Sequence, residues 1–512
     1  MADAGGAAAR LREERGAMTE ETDLPEQMRV RRDKLDRLAE AGEQAYPVGY
    51  PRTTTLGALR ERYGDLPADT FTGDVVGVTG RVVLNRVTGK LTFATLRDGS
   101  GDVQVMLSLD KVGEERLEAW KAFVDIGDHV GVTGEVITSR RGELSVLATE
   151  WRMTSKSLRP LPDKHKGLTD VESRVRQRYV DLIVNPETRE MVRTRSTVVR
   201  TLRESLAGRG FLEVETPMLQ PIHGGATARP FTTHHNALDM RLYLRIAPEL
   251  YLKRLVVGGV ERVFEINRNF RNEGIDTRHN PEFTMIEVYE AYGDYDTMAT
   301  LTRELIQEAA LAVHGSLVVP TPDGGTLDLS GEWPKVPILR AISDAAGFEV
   351  RLDAGVDVLR KQADELGVPV DPKWGAGAIV LEMYERLVES RTVGPTFFTD
   401  FPKDVSPLTR EHRDDPLLAE RWDLVALGRE VGTAYSELVD PVEQRRRLTE
   451  QAALKAAGDP EAMELDEDFL RAMEYGMPPS GGMGMGIDRL VVLLTGAPSI
   501  RDVILFPLLR PE

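Results

Sequence analysis

The sequence predicts an α+β protein with two domains, a small all-β barrel followed by a larger domain built on an antiparallel sheet. Three observations lead to this prediction. The chain has 512 residues, too many for a single hydrophobic core. Residues 71–155 contain short β-rich runs separated by turn residues. Beyond residue 190, strand-like and helical segments are mixed without a regular βαβ alternation, which favours an antiparallel sheet with helices packed against it.

The barrel is predicted from five alternating runs of β-forming residues with glycine at the turns. These runs are Val75–Val83, Leu91–Leu96, Val103–Leu107, Val130–Ile137 and Leu144–Ala148. Five such strands are typical of a small closed barrel, and an oligonucleotide-binding (OB) fold is one of several barrels that this pattern permits. We place the domain at residues 46–160. Residues 1–45 are predicted to be a mobile start followed by a helix at Glu26–Ala41.

The larger domain is placed at residues 161–512. A helix is predicted from Met191 onward, because apolar residues recur there at spacings of three and four, at Val198, Val199, Leu202 and Leu206. Phe211–Thr216 is a predicted strand, and Ile487–Leu494 is a predicted helix. Residues 335–392 are mainly helical in pattern and are interpreted as an insertion.

The composition excludes several classes of protein and site. The formal net charge of −18 argues against a protein that coats nucleic acid non-specifically. Residues 71–166 are close to neutral, so any RNA is expected to bind there. Because cysteine is absent, disulfides and cysteine-ligated zinc are excluded. No apolar run approaches the roughly 18 residues of a membrane helix, and no secretion signal is evident. We therefore expect a cytoplasmic location and no membrane partner.

Several short segments place polar residues among apolar ones and are the candidate chemical sites: Leu244–Glu249, Phe270–Glu273, Arg278–Phe283 and Gly484–Arg489. Partly buried charges are costly unless they are paired or face a ligand. Any single charged residue in these segments could belong either to a structural ion-pair network or to a site for a polyanion. The clustering of several such segments in one domain favours the polyanion site. The glycines at 482–486 precede a predicted helix, whose N-terminus favours phosphate. No P-loop, zinc-protease or serine-hydrolase motif is present.

These segments resemble a known family. Residues 210–217 (GFLEVETP) resemble motif 1 of the class II aminoacyl-tRNA synthetases, the two segments between 270 and 283 resemble motif 2, and Gly484–Arg489 resembles motif 3. The bacterial-type lysyl form of the aspartyl/asparaginyl/lysyl subclass is recognisable in residues 224–231, 243–255 and 278–287. The resemblance covers residues 45–512. It implies a class II catalytic domain preceded by an OB-fold anticodon-binding domain.

The resemblance implies a two-step reaction. The carboxylate of lysine attacks the α-phosphate of ATP, giving lysyl-adenylate and pyrophosphate, and the 3′-hydroxyl of tRNA(Lys) then takes the lysyl group. Such chemistry relies on positioning and charge neutralisation. Catalysis is assigned to Arg271, on the α-phosphate and lysine carboxylate, and to Arg489, on the γ-phosphate. The residues expected to bind ATP are Arg271, Glu273, His279, Asn280, Phe283, Asp423 and Arg489. Asp423 and Glu430 are expected to bind Mg²⁺, which prefers carboxylate oxygens.

The resemblance also implies a lysine pocket. Its expected members are Gly225, Glu249, Arg271, Glu287, Tyr289, Thr433, Tyr435 and Glu437. A buried ammonium needs acceptors and negative charge, and Glu437 and Tyr289 are expected to face the side-chain amine. Three residues depart from the family's usual choice. Thr433 stands in place of Asn, Tyr435 in place of Phe and Asp423 in place of Glu. Each keeps polarity, aromaticity or charge, so we expect activity to survive.

Residues of the barrel are expected to contact the tRNA. Relatives read the anticodon at the positions of Arg86, Phe93, Gln104 and Glu143. An aromatic ring stacks on a splayed base and polar groups read its edges, the usual way in which single-stranded RNA is recognised. The pattern alone, without the resemblance, would make Phe93 a core residue.

The resemblance further implies a homodimer, with Pro217 at its interface. Two alternatives are weighed against the ligase. A paralogue that transfers lysine to a protein would lack the barrel, and one that transfers it to a lipid would carry membrane helices. A non-catalytic RNA-binding relative should have lost Arg271, Glu273 or Arg489, and all three are present. The expected partners are therefore tRNA(Lys), ATP, L-lysine and a second copy of the chain.

Overall fold

The computed structural model describes residues 24–162, 168–459 and 461–511. The predicted mobile start lies largely outside these residues. Contacts between residues divide the chain into two compact units, Met1–Gly167 and Leu168–Glu512. Each unit has a hydrophobic core of its own.

The first unit is built around a closed five-stranded barrel with the strand order β1-β2-β3-β5-β4. Its elements are α1 Glu26–Glu40, α2 Leu56–Tyr63, β1 Phe71–Thr88, β2 Leu91–Arg97, β3 Asp102–Ser108, α3 Leu109–Val112, α4 Glu114–Phe123, β4 His129–Thr138 and β5 Leu144–Ser155. All five predicted strands are confirmed, and each is longer than predicted. The predicted helix near the start of the chain is confirmed as α1.

Alternation along the strands separates the inside of the barrel from its outside. On β3, Val103, Val105 and Leu107 are buried, whereas the residues between them are partly exposed, as expected when successive side chains point to opposite faces. Closure also requires a close approach of β4 to β5. A Cβ on Gly134 would lie 2.1 Å from the carbonyl oxygen of Leu147, so only glycine fits there.

A buried ion cluster lies at the end of β5. The Lys156 ammonium is 2.6 Å from Asp125 Oδ2 and 2.7 Å from Asp128 Oδ2. The side chains of Lys156 and Asp128 are fully buried, and Lys156 also donates to the carbonyl of Phe123. Charges removed from water are tolerated when they are paired and hydrogen-bonded in this way. The cluster ties the end of β5 to the loop between α4 and β4.

The second unit combines twelve α-helices with thirteen strands among its described residues. Its helices are α5 Val171–Arg176, α6 Arg178–Val184, α7 Pro186–Gly208, α8 Glu249–Val257, α9 Tyr295–His314, α10 Ile338–Ala346, α11 Val356–Glu365, α12 Ala376–Leu387, α13 Pro441–Ala456, α14 Glu467–Glu474, α15 Ile487–Thr495 and α16 Ile500–Val503. Its strands are β6 Leu212–Glu213, β7 Leu219–Gln220, β8 Thr232–His235, β9 Met240–Leu244, β10 Arg262–Phe270, β11 Glu282–Ala291, β12 Val318–Pro320, β13 Thr326–Asp328, β14 Lys335–Pro337, β15 Thr396–Pro402, β16 Leu418–Ala426, β17 Arg429–Ser436 and β18 Ser480–Gly486.

An eight-stranded sheet organises this unit, in the order β14-β15-β16-β17-β18-β11-β10-β6. All of its internal pairs are antiparallel, and only the two edge pairs, β14 with β15 and β6 with β10, are parallel. The predicted antiparallel sheet with packed helices is therefore confirmed. The main core holds the apolar faces of α7, α9 and α15 together with one face of the sheet.

Of two further predictions for this unit, one is confirmed only in part and the other is confirmed. The strand predicted at Phe211–Thr216 is reduced to β6, which pairs with β10 only at Val263 and Phe264. The chain then leaves the sheet ahead of Pro217, because proline lacks a backbone N–H for the ladder. Residues 335–392 are mainly helical as predicted, and α10, α11 and α12 enclose a small core of their own. No helix in the described ranges has both the length and the apolar character needed to cross a membrane.

The Lys156 cluster predicts a local loss of stability. The substitution Lys156→Met removes the cation from between Asp125 and Asp128 and leaves a buried carboxylate without its partner, which costs about 3–5 kcal/mol. Hydrogen exchange followed by mass spectrometry on peptides of β4 and β5, in the full-length chain, measures the change. The control is Lys121→Met, which breaks only the surface pair with Glu118 and should change stability by about 1 kcal/mol or less. Equal effects of the two substitutions would contradict the assigned role of the cluster.

Candidate active site

A cavity of about 1090 Å³ lies on one face of the large sheet. Alternate residues of β11 line it, namely Phe283, Met285, Glu287 and Tyr289. The intervening Ile286 and Val288 point to the opposite face and are buried in the main core. Because side chains alternate along a strand, one strand supplies both a wall of the cavity and part of the core. The motif-like segment beginning at residue 278 therefore continues into the strand that forms this wall of the cavity.

The neighbouring strand β18 forms the floor of the cavity. Gly482, Gly484 and Gly486 pair with Tyr289, Glu287 and Met285, respectively, and all three glycines line the cavity. Met483 and Met485 alternate with them and are buried. These glycines therefore lie in a strand, where the lack of a Cβ leaves room above the sheet. The predicted helix that follows them is confirmed as α15.

One end of the cavity is acidic. Glu249 and Glu287 line it and are each 4% exposed, and Glu437 lies behind them at 2%. Burial raises the pKa of Glu437 to about 7. Burial, reinforced by the negative charges of Glu249 and Glu265, raises the pKa of Glu287 well above its usual range. Charged forms are disfavoured in such surroundings unless a cation is present, so this end of the cavity is suited to a positively charged ligand.

Lys253 lies inside this acidic group. Its ammonium is 2.6 Å from Glu249 Oε1 and 2.6 Å from Glu437 Oε2, and its side chain is fully buried. Burial alone would lower the pKa of Lys253, but the two carboxylates outweigh burial and raise it. Lys253 is therefore a permanent cation in the structure.

The second oxygen of Glu437 is free of this ion pair. Glu437 Oε1 is buried and accepts no hydrogen bond from the part of the chain that the structure describes. A Cβ on Gly482 would lie 1.9 Å from this oxygen and 2.6 Å from Cε1 of Tyr289. The oxygen and the tyrosine ring therefore converge on the glycine of the cavity floor. A buried acceptor without a partner is rare in proteins and usually marks a ligand contact or a functional group.

The other end of the cavity is formed by residues that follow β10. Arg271, Glu273, His279, Asn280 and Phe283 all line it. The guanidinium of Arg271 lies 5.2 Å from the centre of the Phe283 ring, and its Nε is buried without a hydrogen-bond partner in the described residues. The side-chain oxygen of Asn280 is likewise buried and accepts no hydrogen bond from the described residues. Unpaired donors and acceptors are thus present where the sequence predicts ATP.

Arg489 stands in the first turn of α15 and also lines the cavity. Its Nη1 donates to the carbonyl of Glu430 at 3.0 Å and lies 3.4 Å from Glu430 Oε1. Its Nη2 is 3.5 Å from Nε2 of His279, and the other ring nitrogen of His279 contacts Asp276. The structure therefore brings Arg271, Arg489, His279 and Glu430 to one cavity.

Asp423 and Glu430, the predicted Mg²⁺ ligands, differ in their availability. Glu430 lines the cavity beside Arg489, whereas Asp423 is not among the lining residues. Arg421 donates to both carboxylate oxygens of Asp423, at 3.0 and 2.9 Å. Burial raises the pKa of Asp423, although Arg421 counteracts this effect. Across residues 24–162, 168–459 and 461–511, no group of three or more His, Asp or Glu side chains is arranged to hold a metal ion.

The remaining predicted pocket residues surround the same space. Thr433 and Tyr435 of β17 pair with Gly484 and Gly482, and both line the cavity. Thr433 donates its hydroxyl hydrogen to the carbonyl of Trp422. Gly225 has φ +87°, and a Cβ there would lie 2.9 Å from Cβ of Glu249, so glycine is required at this wall.

The four predicted RNA contacts lie on neighbouring parts of the barrel, with Arg86 on β1, Phe93 on β2, Gln104 on β3 and Glu143 directly before β5. Arg86 pairs with Phe93 across β1 and β2, and its guanidinium lies 5.1 Å from the ring centre. Phe93 is only partly buried, which contradicts the interpretation of this residue as core. Gln104 donates to Ser145 at 2.8 Å, and the Ser145 hydroxyl donates to the carbonyl of Glu143.

Comparison with known proteins identifies the family. A family model described as tRNA synthetases class II (D, K and N) matches residues 170–510. The chain belongs to this family. A second model, described as an OB-fold nucleic acid binding domain, matches residues 71–154. The unit with the cavity is therefore the class II synthetase domain, and the five-stranded barrel is its OB-fold partner in the chain.

Relatives resemble the chain along most of its length. A lysine–tRNA ligase from Kineococcus radiotolerans is 58% identical over 492 residues, which cover 96% of this chain and 98% of that protein. A lysine–tRNA ligase from Mycobacterium bovis is 57% identical over 497 residues, with the same coverage of both chains. The lysylphosphatidylglycerol biosynthesis bifunctional protein LysX from Nocardia farcinica is 57% identical, but the match covers 95% of this chain and 43% of that protein.

Sequence reasoning missed several residues of the synthetase cavity. Arg421 lines it, as do Lys373 and Trp374 from the segment before α12, and Lys253 lies just behind its acidic wall. Lys253 stands four residues after Glu249, and Arg421 two residues before Asp423, which are the spacings of neighbours on a helix and a strand. The sequence therefore held a signal for these two ion pairs. Lys373 and Trp374 carried none.

Arg245, which the sequence offered as a candidate for polyanion binding, has a structural role instead. It is 1% exposed. Its Nη1 lies 2.7 Å from Glu265 Oε1 and 3.1 Å from the carbonyl of Thr216. The structural ion-pair interpretation therefore holds for this arginine, because all of these partners belong to the chain itself.

Gly482→Ala tests the floor of the cavity. The added Cβ would overlap Glu437 Oε1 and the ring of Tyr289, so we expect the carboxylate to move and one charge-assisted hydrogen bond to the substrate to be lost. Such a loss is worth about 1.5–3 kcal/mol, or roughly 10- to 150-fold, and should appear in KM for the amino acid in ATP–pyrophosphate exchange. The comparison variant is Gly484→Ala, whose Cβ would meet chiefly the flexible end of Met285, at 3.1 Å. Equal losses in the two variants would contradict this explanation.

Proposed function

We propose that the chain is a lysine–tRNA ligase, which activates lysine with ATP and transfers it to the 3′ end of tRNA(Lys). The observation that carries the proposal is the acidic end of the cavity. There, three buried carboxylates surround a space with an unpaired acceptor, Glu437 Oε1. The similarity to two lysine–tRNA ligases, at 57–58% identity over 96% of this chain, supports the same conclusion. An aspartate-activating member of the family would require a cation directed at the substrate side chain here, whereas Lys253 is paired with Glu249 and Glu437.

Lysine binding is proposed at this acidic end. Glu437 Oε1 and the hydroxyl of Tyr289 would accept hydrogen bonds from the side-chain ammonium, and Glu249 and Glu287 would face the α-ammonium. The tyrosine hydroxyl itself donates towards Glu287 Oε2 at 3.4 Å. Gly225 would offer its backbone. Thr433 and Tyr435 complete the proposed pocket from β17, where they keep the polar and aromatic character of the family's usual Asn and Phe.

The arginines would neutralise the charges that develop during adenylate formation. Arg271 is proposed to bind the lysine carboxylate and the α-phosphate together, so that the attacking oxygen meets phosphorus in line with the departing pyrophosphate. Arg489 is proposed to bind the γ-phosphate and to cover the adenine opposite Phe283. Glu273, His279 and Asn280 would hold the nucleotide. Preorganised donors of this kind are worth more inside a cavity than in water.

Mg²⁺ is proposed at the phosphate end, where it would neutralise phosphate charge. Glu430 fits this role because its carboxylate lines the cavity beside Arg489. Asp423 is the second proposed ligand of ATP and metal, and it fits only if Arg421 releases one of its oxygens. Two carboxylates with phosphate oxygens and waters satisfy the usual coordination of Mg²⁺.

The OB-fold barrel is proposed to bind the anticodon through Arg86, Phe93, Gln104 and Glu143. We also propose a cytoplasmic homodimer, with Pro217 at its interface. The proposed domain limits are 1–45 for the tail and helix, 46–160 for the barrel and 161–512 for the catalytic domain. Within the last of these, residues 335–392 form the proposed helical insertion.

Amino-acid-dependent ATP–pyrophosphate exchange, measured with each of the twenty amino acids, tests the proposed activity. We expect exchange with lysine, followed by charging of purified tRNA(Lys). Arg271→Ala should reduce exchange by about 10²-fold or more, because it removes a preorganised cation from the transition state. The matched control is Arg268→Ala on β10, whose side chain is exposed and lies 3.6 Å from Glu282. Absence of lysine-dependent exchange in the folded wild type would refute the function.

Phe93→Ala separates the two units functionally. It should leave exchange unchanged and weaken tRNA charging by roughly 5- to 150-fold, since stacking on one base is worth about 1–3 kcal/mol. KM for tRNA(Lys) in the charging reaction is the quantity to measure. The control is Phe71→Ala, which removes another aromatic ring, 59% exposed, from the first strand of the barrel. If the Phe93 variant lost exchange and charging equally, its assigned role in RNA binding would be wrong.

A further inference from the structure

Lys253 places one ammonium group inside a pocket that is proposed to bind another. It stands on α8, one turn after Glu249, and reaches Glu249 Oε1 and Glu437 Oε2 at 2.6 Å each. The side chain is fully buried and does not line the cavity. The internal cation therefore approaches the carboxylates from outside the cavity. Glu437 Oε1 lies beside the floor residue Gly482 and accepts no hydrogen bond from the described residues.

The charges of the pocket match lysine only when Lys253 is included. When all of these groups are ionised, Glu249, Glu287 and Glu437 contribute three negative charges, and Lys253 and Arg271 contribute two positive ones, so the sum is −1. Lysine at neutral pH carries two ammonium groups and one carboxylate, a sum of +1. Without Lys253 the pocket would carry an excess negative charge in a buried place, which proteins usually relieve by taking up a proton.

We propose that Lys253 is a specificity-determining positioning residue for lysine. It would neutralise one of the three carboxylates and hold Glu437 by Oε2, so that an ionised Oε1 faces the substrate's side-chain ammonium. The proposal rests on the proposed function of the same pocket. It explains why an enzyme for a cationic amino acid keeps a cation of its own beside the binding site. The fixed charge of Lys253 neutralises a carboxylate that would otherwise be neutralised by a proton, and binding of a proton would change with pH.

The groups that face Glu437 determine what the removal of Lys253 would do. They are Lys253 and Glu249 from α8 and Tyr289 from β11, and Tyr289 in turn interacts with Glu287 and Tyr435. Burial and the charge of Glu249 raise the pKa of Glu437, and Lys253 lowers it. Loss of Lys253 should therefore raise this pKa further. Protonation of Glu437 removes the negative charge that attracts the ammonium of lysine. A higher pKa of Glu437 would therefore weaken lysine binding at a higher pH as the solution is acidified.

The main test compares Lys253→Met with the wild type in lysine-dependent ATP–pyrophosphate exchange between pH 6 and 8.5. We expect KM for lysine at pH 7 to rise by about tenfold or more, with KM for ATP changed less than about twofold. The acid limb of kcat/KM for lysine should move up by about one pH unit or more. Lys253→Arg, which keeps the charge, should hold the limb near its wild-type position.

Lys156→Met is the matched control, because Lys156 is also a fully buried lysine between two carboxylates, but in the barrel. It should leave the lysine KM and the acid limb unchanged. If Lys253→Met behaves like this control, or lowers kcat and both affinities together without moving the limb, Lys253 is only structural and the proposal is overturned.

A second variant keeps the test decisive if Lys253→Met does not fold. Glu437→Gln is isosteric and leaves Lys253 paired with Glu249. The limb assigned to Glu437 should be lost from its wild-type position in this variant, because its titrating group is gone, and an acid limb that stays at the wild-type position would overturn the proposal. Absence of lysine-dependent exchange in the wild type would instead refute the proposed function. Wild-type exchange with an unshifted limb in Lys253→Met refutes the inference about Lys253 alone.

Discussion

The two-residue period of the central antiparallel sheet is the constraint on which the catalytic unit depends. Along β11 and β18, alternate residues face the cavity, and the residues between them are buried beneath α9 and α15. A shift of one residue in register would exchange the two faces, placing Glu287 in the core and Ile286 in the cavity. The fold and the chemistry therefore share one register, and the packing of the core holds the cavity residues in position.

This arrangement makes the electrostatics of the cavity demanding. Three carboxylates with little exposure stand at one end, where burial disfavours their charged forms. The chain offsets part of this cost with Lys253, and the proposed substrate supplies the remaining positive charge. At the other end, Arg271 and Arg489 line the cavity and provide positive charge for a negatively charged ligand. Stability of the empty protein and affinity for the substrate thus oppose each other, as is common where binding sites are preorganised.

The barrel follows the same physical rule with a different outcome. Its inward residues form an apolar core, and its outward face presents Phe93 and Gln104 to solvent. Its buried charges, Lys156 with Asp125 and Asp128, are satisfied within the unit and leave no acceptor directed at a ligand. Comparable buried lysines therefore have different consequences. In the barrel both carboxylates accept hydrogen bonds from Lys156. In the cavity, neither oxygen of Glu437 accepts a hydrogen bond from the described residues, and only Oε2 is in an ion pair.

The sequence alone determined the barrel strands, the antiparallel sheet and several helices, because periodicity is a local property of a chain, and its resemblance to a known family implied most of the residues that meet in the cavity. It could not show that Arg421 occupies both oxygens of Asp423, that Arg245 is an internal ion pair, or that Phe93 lies on the outer face of the barrel. These depend on which partner stands opposite each side chain. Lys253 shows the limit most clearly. Its spacing from Glu249 is visible in the sequence, but its contact with Glu437, 184 positions along the chain, exists only because α8 and the end of β17 pack together.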